Sequence, residues 1–272
     1  MFSIKAVSIA PAARDWLLNS DQPRFLHVFD HTCNLINERG EILSIVTLEI
    51  GNGPFNLVIE EGILFSNHLD VRSIVSVGPG NLSLCHLKIN IDDSEVWCSR
   101  PDWQSLHAKR DEIFNQLKRL PISDYQSLVS DLSSAVASAN ISIAKTIISQ
   151  LAGLGIGLTP AGDDFILGSL LAAWIIHPEE TAIKIAKEIT ETAAPLTTSL
   201  SAAWLRSAGR GEAGILWHEL FDAMIIADAA QIQEAMEKIL GVGETSGADA
   251  LSGFIGAFIS WAKFVNPKPL TK

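Results

Sequence analysis

The sequence predicts an α+β protein in which a small antiparallel β barrel or sandwich precedes an all-α helical bundle. Two patterns predict this class. From residue 25 to about residue 103, short runs rich in Val, Ile and Leu alternate with turn signals such as "GNGP" and "GPGN". After Trp103, apolar residues recur every three or four positions, as they do on amphipathic helices. We therefore predict a β-rich domain over residues 1–103, a helical domain over 104–265 and a C-terminal tail over 266–272.

The predicted strands lie in five apolar runs, which read "RFLHVFDHTCNLIN", "ILSIVTLEI", "FNLVIE", "VRSIVSVG" and "LSLCHLKINI". The helical pattern begins with "WQSLHAKRDEIFNQLKRL", which Pro121 ends, and a long helix or helix pair is expected over about 123–151. Six more helices are predicted, at 163–176, 178–193, 197–207, 212–227, 229–240 and 248–264. Only brief loops join these segments, which indicates a compact bundle.

The composition favours a folded globular protein and excludes several classes of function. Of 272 residues, 47% are hydrophobic and 19% are charged. A net charge of -11 without a Lys/Arg cluster makes nucleic acid an unsuitable partner. The three cysteines, Cys33, Cys85 and Cys98, have no CxxC spacing, so neither a disulfide framework nor a zinc site is predicted.

The sequence carries no clear targeting or membrane signal. The first residues lack the uninterrupted apolar core of a signal peptide. The longest apolar runs, 165–176 and 250–262, are too short to cross a bilayer and are predicted to be buried helices. We therefore expect a cytoplasmic protein without a membrane partner.

Two glycine-rich segments resemble each other, and each opens an apolar helix. The first motif, residues 153–168, reads "GLGIGLTPAGDDFILG", and the second motif, residues 241–255, reads "GVGETSGADALSGFI". With one residue fewer in the second loop, five positions are identical: Gly155 matches Gly241, Gly157 matches Gly243, Gly162 matches Gly247, Asp164 matches Asp249 and Gly168 matches Gly253. The repetition predicts a structural repeat.

The residue types in both motifs suit a small anion. Glycines leave backbone N–H groups uncovered, and a helix N-terminus adds unpaired donors and a dipole that favours negative charge. Because each Asp is followed four residues later by a Gly, the two helices could approach along their glycines and bring both N-termini to one pocket. The candidate binding residues are Gly157, Thr159, Gly162, Thr245, Ser246 and Gly247. Helix capping alone, by Thr159 before Pro160 and by Ser246 with Asp249, is the alternative.

A third segment, residues 195–212, reads "PLTTSLSAAWLRSAGRGE". Thr197, Thr198 and Ser201 place hydroxyls at a predicted helix start, and Arg206 and Arg210 follow. Hydroxyls at a helix N-terminus with a nearby guanidinium could hold a phosphate or carboxylate. An N-cap with surface arginines is the alternative interpretation.

The candidate catalytic residues are Asp163, Asp164 and Asp249. They could act as acid, base or acceptor of a substrate amine. As carboxylates they are also candidate ligands of Mg²⁺, although acids that merely complement the helix dipole remain an alternative. The chain has no Walker A lysine, no dinucleotide fingerprint after a strand and no Gly-x-Ser-x-Gly elbow, so those chemistries are not predicted.

These motifs together resemble the bacterial AllH family, whose members are mostly of unknown function. The resemblance rests on "GIGLTPAGDDFILG", "TTSLSAAWLRSAGRGE" and "GVGETSGADALSG", with "LHVFDHTCNLIN" in the β-rich part, and it covers about residues 25–262. One branch is the AllH subunit of oxamate carbamoyltransferase, and some relatives have been called carboxylases. Family membership implies a subunit of a multi-component enzyme of allantoin and purine nitrogen catabolism, which exchanges oxamate and carbamoyl phosphate for oxalurate and phosphate.

Two departures limit what the resemblance implies. The Ser-Thr-Arg-Thr pattern of ordinary carbamoyltransferases is absent, which implies a carbamoyl phosphate site of another design or on another subunit. Family copies often read Gly-His-Thr-Ser-Gly in the second motif, whereas this chain has Glu244 in place of that histidine.

The working hypothesis is therefore a small-anion-binding subunit of a carbamoyl-transfer enzyme, with other subunits or further copies of this chain as partners. One alternative is a non-catalytic binding or scaffold subunit, and a second is a separate carboxylase or hydrolase.

Overall fold

A computed structural model describes residues 2–60, 62–118 and 130–265 of the chain. The chain divides into two compact units, Met1–Ser99 and Arg100–Lys272. The first is built from strands and the second from helices, so the predicted α+β class is confirmed. The boundaries predicted at residues 103 and 265 stay a prediction, and the tail 266–272 lies outside the described residues.

The β unit is a nearly closed, barrel-like sheet. Its strands are β1 (Phe2–Ile9), β2 (Arg24–Val28), β3 (Thr32–Ile36), β4 (Ile42–Thr47), β5 (Asn56–Ile59), β6 (Val75–Gly78), β7 (Asn81–Leu84), β8 (Leu87–Asn90) and β9 (Glu95–Val96). Their order is β2-β3-β4-β5-β1-β8-β7-β6, and β9 pairs with β1. Helix α1 (Pro11–Asn19) follows β1. The interior of the β unit is filled by fully buried side chains, which include Leu35, Leu43, Ile45, Leu57 and Ile59.

The sheet is mixed, whereas the sequence predicted an antiparallel one. Strand β1 pairs in parallel with β8 and β9, and β4 pairs in parallel with β5. The difference comes mainly from β1, which precedes the first predicted strand and lies between β5 and β8. Alternate residues of β1, namely Ile4, Ala6 and Ser8, are buried, and the small or polar side chains at two of these positions weaken the apolar alternation that indicates a strand.

The helical unit contains ten α-helices among its described residues. They are α2 (Trp103–Ala108), α3 (Arg110–Leu117), α4 (Asp131–Ala137), α5 (Ile141–Leu151), α6 (Ala161–Ile176), α7 (Glu179–Ala193), α8 (Ser199–Gly209), α9 (Ile215–Ile226), α10 (Ala229–Leu240) and α11 (Ser246–Val265). The six helices predicted after residue 160 are all present, with ends shifted by a few residues. The segment predicted over 123–151 contains the helix pair α4 and α5, and its first seven residues lie outside the described ranges.

Helices α6 and α11 form the centre of this unit. Thirteen of the 16 residues of α6 are buried, as expected for a helix that is apolar on every side. Helix α11 is long and apolar enough to cross a membrane by length and composition, but 67% of its apolar window is buried within the unit. It is therefore packed as a core helix, in agreement with the sequence prediction for this segment. The predicted cytoplasmic location stays a prediction.

Candidate functional site

The first and second motifs meet in space. The Thr159 hydroxyl, just before α6, and the Ser246 hydroxyl, at the start of α11, are joined by a hydrogen bond of 3.0 Å. Asp164 and Asp249 lie in the first turns of the same helices, and the negative charge of Asp249 is close enough to raise the pKa of Asp164. Two helix N-termini and two carboxyl groups therefore converge at one place.

The packing of α6 against α11 explains the matched glycines. A methyl group on Gly168 would lie 1.8 Å from the Ala250 carbonyl oxygen, and one on Gly253 would lie 2.0 Å from the Phe165 carbonyl oxygen. Residues 165 and 250 are themselves a matched pair at the separation of 85 that relates Gly168 to Gly253. The contacts are thus reciprocal, so the two helices are related by a local pseudo-two-fold axis. Only glycine allows this approach of the two backbones.

Asp163 has a structural role at the N-terminus of α6. Its side chain is buried, one carboxylate oxygen accepts a hydrogen bond of 2.9 Å from the Gly153 N–H, and the other accepts a hydrogen bond from the Thr197 hydroxyl. Both oxygens are therefore engaged, one with the loop of the first motif and one with the segment before α8. Asp163 ties three parts of the helical unit together.

Asp164 is in a different environment. It is 9% exposed, and its Oδ2 atom is buried without a hydrogen-bond partner among the described residues. Burial is the main cause that raises its pKa to about 7, and the negative charges of Asp249 and Asp163 act in the same direction. The hydroxyls of Ser246 and Thr159 oppose this shift in the pKa by stabilising the charged form. A carboxyl group with this pKa can gain or lose a proton near neutral pH.

Asp249 is half-buried, and its Oδ2 atom is also buried without a partner among the residues that the structure describes. It occupies the position in the second motif that matches Asp164 in the first. The pseudo-two-fold axis therefore pairs two carboxyl groups, each with one oxygen that accepts no hydrogen bond. Buried polar atoms without partners are uncommon in folded proteins, and such atoms often mark functional sites.

The glycines in the first turns of the two helices and in the loops before them have separate roles. The Gly162 N–H donates to the Leu154 carbonyl at 2.9 Å, and the Gly247 N–H donates to the Val242 carbonyl at 3.1 Å, so each amide closes its own loop. Gly157 is exposed, with φ +104°, and Thr245 is exposed at the surface of the second loop. The N–H groups of Ala161 and Ala248 donate no hydrogen bond within the described ranges, so donors remain at both helix N-termini.

The hydroxyls of the third segment build its local structure. Besides the bond from Thr197 to Asp163, the Thr198 hydroxyl donates to the Leu158 carbonyl at 2.6 Å and accepts the Ser201 N–H at 3.1 Å. Thr198 is therefore the N-cap of α8, as in the capping interpretation, and it also holds the loop of the first motif. Ser201 lies buried in the first turn of α8.

The two arginines do not join this group. Arg206 is exposed in the last turn of α8, and Arg210 follows its end, where the guanidinium contacts Ser207 and Glu212 at 3.1 and 2.7 Å. Eight residues of helix separate Arg206 from the N-cap Thr198, which corresponds to about 12 Å at 1.5 Å per residue. The predicted combination of hydroxyls and arginines in one anion site is not formed within α8.

The three aspartates also do not form the predicted Mg²⁺ site. Among the described residues, no group of three or more His, Cys, Asp or Glu side chains is arranged to hold a metal ion. The physical reason is that both oxygens of Asp163 already accept hydrogen bonds from Gly153 and Thr197. Only Asp164 and Asp249 keep free oxygens.

Exposed aliphatic side chains lie near the two motifs and the third segment in the chain, and this apolar rim was not recognised in the sequence. We use this name for five exposed residues in or directly beside the segments that precede α6, α8 and α11, which are Leu154, Ile156, Leu196, Leu240 and Val242. Ile156, between two glycines with positive φ, is 98% exposed. The signal that could have revealed the rim is the alternation of Leu, Ile and Gly in "GLGIGL", because a solvated loop rarely carries so many aliphatic side chains.

Comparison with known families agrees with the motifs. The family model described as oxamate carbamoyltransferase subunit AllH matches residues 151–258, which contain both motifs and the third segment. The model described as AllH family N-terminal domain matches residues 5–96, which form most of the β unit. The chain belongs to the AllH family. The family resemblance predicted from the sequence is thus confirmed. No solved structure matches this AllH-family protein significantly.

Proposed function

We propose that this chain is a small-anion-binding subunit of an oxamate carbamoyltransferase-like enzyme in purine and allantoin catabolism. The ligand is held at the paired N-termini of α6 and α11. The single observation that carries the proposal is the convergence there of two helix N-termini, where the N–H groups of Ala161 and Ala248 have no acceptor among the described residues. The description of the matching family as a carbamoyltransferase subunit supports the reaction class.

The proposed reaction joins the amide nitrogen of oxamate to the carbamoyl carbon of carbamoyl phosphate. A new N–C bond forms, the C–O bond to phosphate breaks, and phosphate leaves with the electron pair. The amide nitrogen loses one proton to a base. The positive ends of two helix dipoles favour the negative charge of the oxamate carboxylate or of the leaving phosphate. In this proposal the helix N-termini, rather than Arg206 and Arg210, receive the anion.

The apolar rim supports a role inside a larger assembly. Its five aliphatic side chains, in or beside the segments that precede α6, α8 and α11, are exposed, and exposed apolar patches are typical of protein interfaces. A partner that covers the rim would also exclude water from the neighbouring carboxyl groups. We propose that the partners are the other subunits of the carbamoyltransferase, and that carbamoyl phosphate binding is completed there.

The test is calorimetric titration of the purified chain, and of the complex that co-purifies with a tagged chain. Carbamoyl phosphate, oxamate and oxalurate are the ligands. We expect heat with at least one of them, and binding weakened by at least about tenfold in the Asp164→Asn, Asp249→Asn double variant. The matched control is Asp228→Asn, which removes a partly exposed carboxylate elsewhere in the helical unit and keeps a residue that caps α10. Absence of binding in both preparations would reject the proposal.

A scaffold subunit is the second candidate, because Asp163 and Thr198 already use their side chains to hold the helical unit together. In that case the double variant would remain folded and its complex would keep full transferase activity.

A further inference from the structure

The carboxyl groups at the paired helix N-termini restrict which end of a ligand can lie against them. Asp164 is more than nine-tenths buried, and the Oδ2 atoms of Asp164 and Asp249 accept no hydrogen bond from any described residue. Ionised carboxylates are acceptors only, so an anionic group placed against them would be repelled. A group with N–H donors would instead satisfy both oxygens. A primary amide has two such donors on one nitrogen atom.

We propose that Asp164 and Asp249 bind the primary amide end of the substrate, and this inference rests on the proposed function. Asp164 accepts the proton that the amide nitrogen of the substrate loses. The carboxylate end of the same molecule then points toward the unpartnered N–H groups of Ala161 and Ala248. The site thereby distinguishes the two ends of an amide-acid such as oxamate. Asp249 is a binding residue, and Asp164 is both a binding residue and the catalytic base.

The environments of the three acids assign the proton to Asp164. Asp163 is excluded because its two oxygens accept from Gly153 and Thr197. Asp164 is the more deeply buried member of the remaining pair. The charged groups that act on it are Asp249 on α11 and Asp163 on its own helix, and both disfavour its ionised form. A base held near neutral pH combines an available ionised form with appreciable basicity.

The proton and electron changes balance within the transfer reaction. The nitrogen lone pair of the amide forms the bond to the carbamoyl carbon, and one N–H bond breaks with its proton passing to the Asp164 carboxylate. The C–O bond between the carbamoyl group and phosphate breaks, and its electron pair stays on phosphate. Asp164 returns to the ionised state when it releases the proton to water after the product leaves.

The experiment compares oxamate with oxalate, in which a second carboxylate replaces the amide. Binding of each is measured by calorimetry on the complex that co-purifies with the tagged chain. We expect the unmodified protein to prefer oxamate by at least about tenfold. In Asp164→Asn and Asp249→Asn this preference should disappear, because oxamate loses an acceptor and oxalate loses a repelling charge. Asp228→Asn should keep the preference, since its carboxylate only caps α10.

A pH profile provides a readout that a merely structural role would not change. The acid limb of kcat/KM for oxamate should lie near pH 7. It should move to lower pH in Asp249→Asn, since one neighbouring negative charge is removed. Equal binding of oxamate and oxalate, or an unchanged acid limb in Asp249→Asn, would overturn the inference while leaving the anion-binding proposal intact. Failure of both compounds to bind, together with carbamoyl phosphate and oxalurate, would overturn both.

Discussion

The first and second motifs share their glycine contacts but differ in how each is held. In the first motif, Asp163 fixes the loop through Gly153 and reaches Thr197 before α8. The matching position in the second motif is Ala248, and the loop before it, from Gly241 to Thr245, is exposed. The difference explains the doubled aspartate of the first motif. One acid builds the structure, and only the other has a counterpart, Asp249, across the pseudo-two-fold axis.

The largest expected effect on stability comes from the close glycine contacts that the two motifs share. Gly168→Ala places a methyl group 1.8 Å from the Ala250 carbonyl oxygen, and neither backbone can move without separating α6 from α11. We expect the free energy of unfolding to fall by about 4 kcal/mol or more, beyond ordinary overpacking. Chemical denaturation followed by circular dichroism measures this loss.

Gly241→Ala is the control for this substitution. It adds the same methyl group at the start of the second motif, where the nearest atom is the Lys238 carbonyl oxygen at 3.3 Å and φ is -75°. We expect only a small change in stability. A Gly168→Ala protein as stable as Gly241→Ala would contradict the close crossing of the two helices.

The next effect tests the difference between the motifs. Asp163→Ala leaves the Gly153 N–H and the Thr197 hydroxyl without their acceptor, so we expect a loss of about 3 kcal/mol in the free energy of unfolding. Ala248→Gly, at the matching position of the second motif, removes no hydrogen bond and should cost only about 1 kcal/mol through helix propensity. Urea denaturation of the two variants provides the comparison. Similar losses would mean that Asp163 does not anchor the first motif.

The sequence predicted the parts of this arrangement that depend on local spacing. The separation of 85 residues between Gly168 and Gly253, with an Asp four residues before each, correctly predicted a repeat whose helices pack along their glycines. The apolar pattern likewise located the six helices after residue 160 to within a few positions. Both features follow from helical periodicity, which the sequence carries directly.

Features that depend on contacts between distant segments could not be predicted in this way. The sequence could not distinguish Asp163 from Asp164, because their roles depend on Thr197 and Asp249, which lie 34 and 85 residues away from them. It also placed Arg206 with Thr198 in one candidate site, although they lie near opposite ends of α8. The mixed pairing of the sheet was missed for the same reason, because β1 lies between β5 and β8, which are distant from it in the chain.

A smaller effect on the free energy of unfolding is expected from a substitution at Asp164, and this effect is an increase. Its pKa is raised from 3.8 to about 7 in the folded state. Between these values the folded protein holds a proton that the unfolded chain has lost, so the free energy of unfolding falls as the pH rises. Asp164→Asn removes this penalty. We expect the variant to be more stable than the unmodified protein by about 2 kcal/mol at about pH 8, a figure reduced for partial solvation.

The pH dependence provides the control for this prediction. At about pH 4 the carboxyl group is protonated in the folded state, and the advantage of Asn should largely vanish. Thermal denaturation at both pH values measures the difference. A gain that is the same at the two pH values would show that the charge of Asp164 is not its source.

The smallest effect on stability is expected at Ile156 in the apolar rim. Because this side chain is 98% exposed, Ile156→Lys should change the free energy of unfolding by no more than about 0.5 kcal/mol. If partner subunits cover the rim, however, a buried lysine charge would weaken their association strongly. Co-purification of the complex should then fail for Ile156→Lys and succeed for Ile226→Lys, which changes an exposed isoleucine at the end of α9. Equal recovery of the complex with both variants would place the subunit interface elsewhere and leave the rim as the margin of an open site.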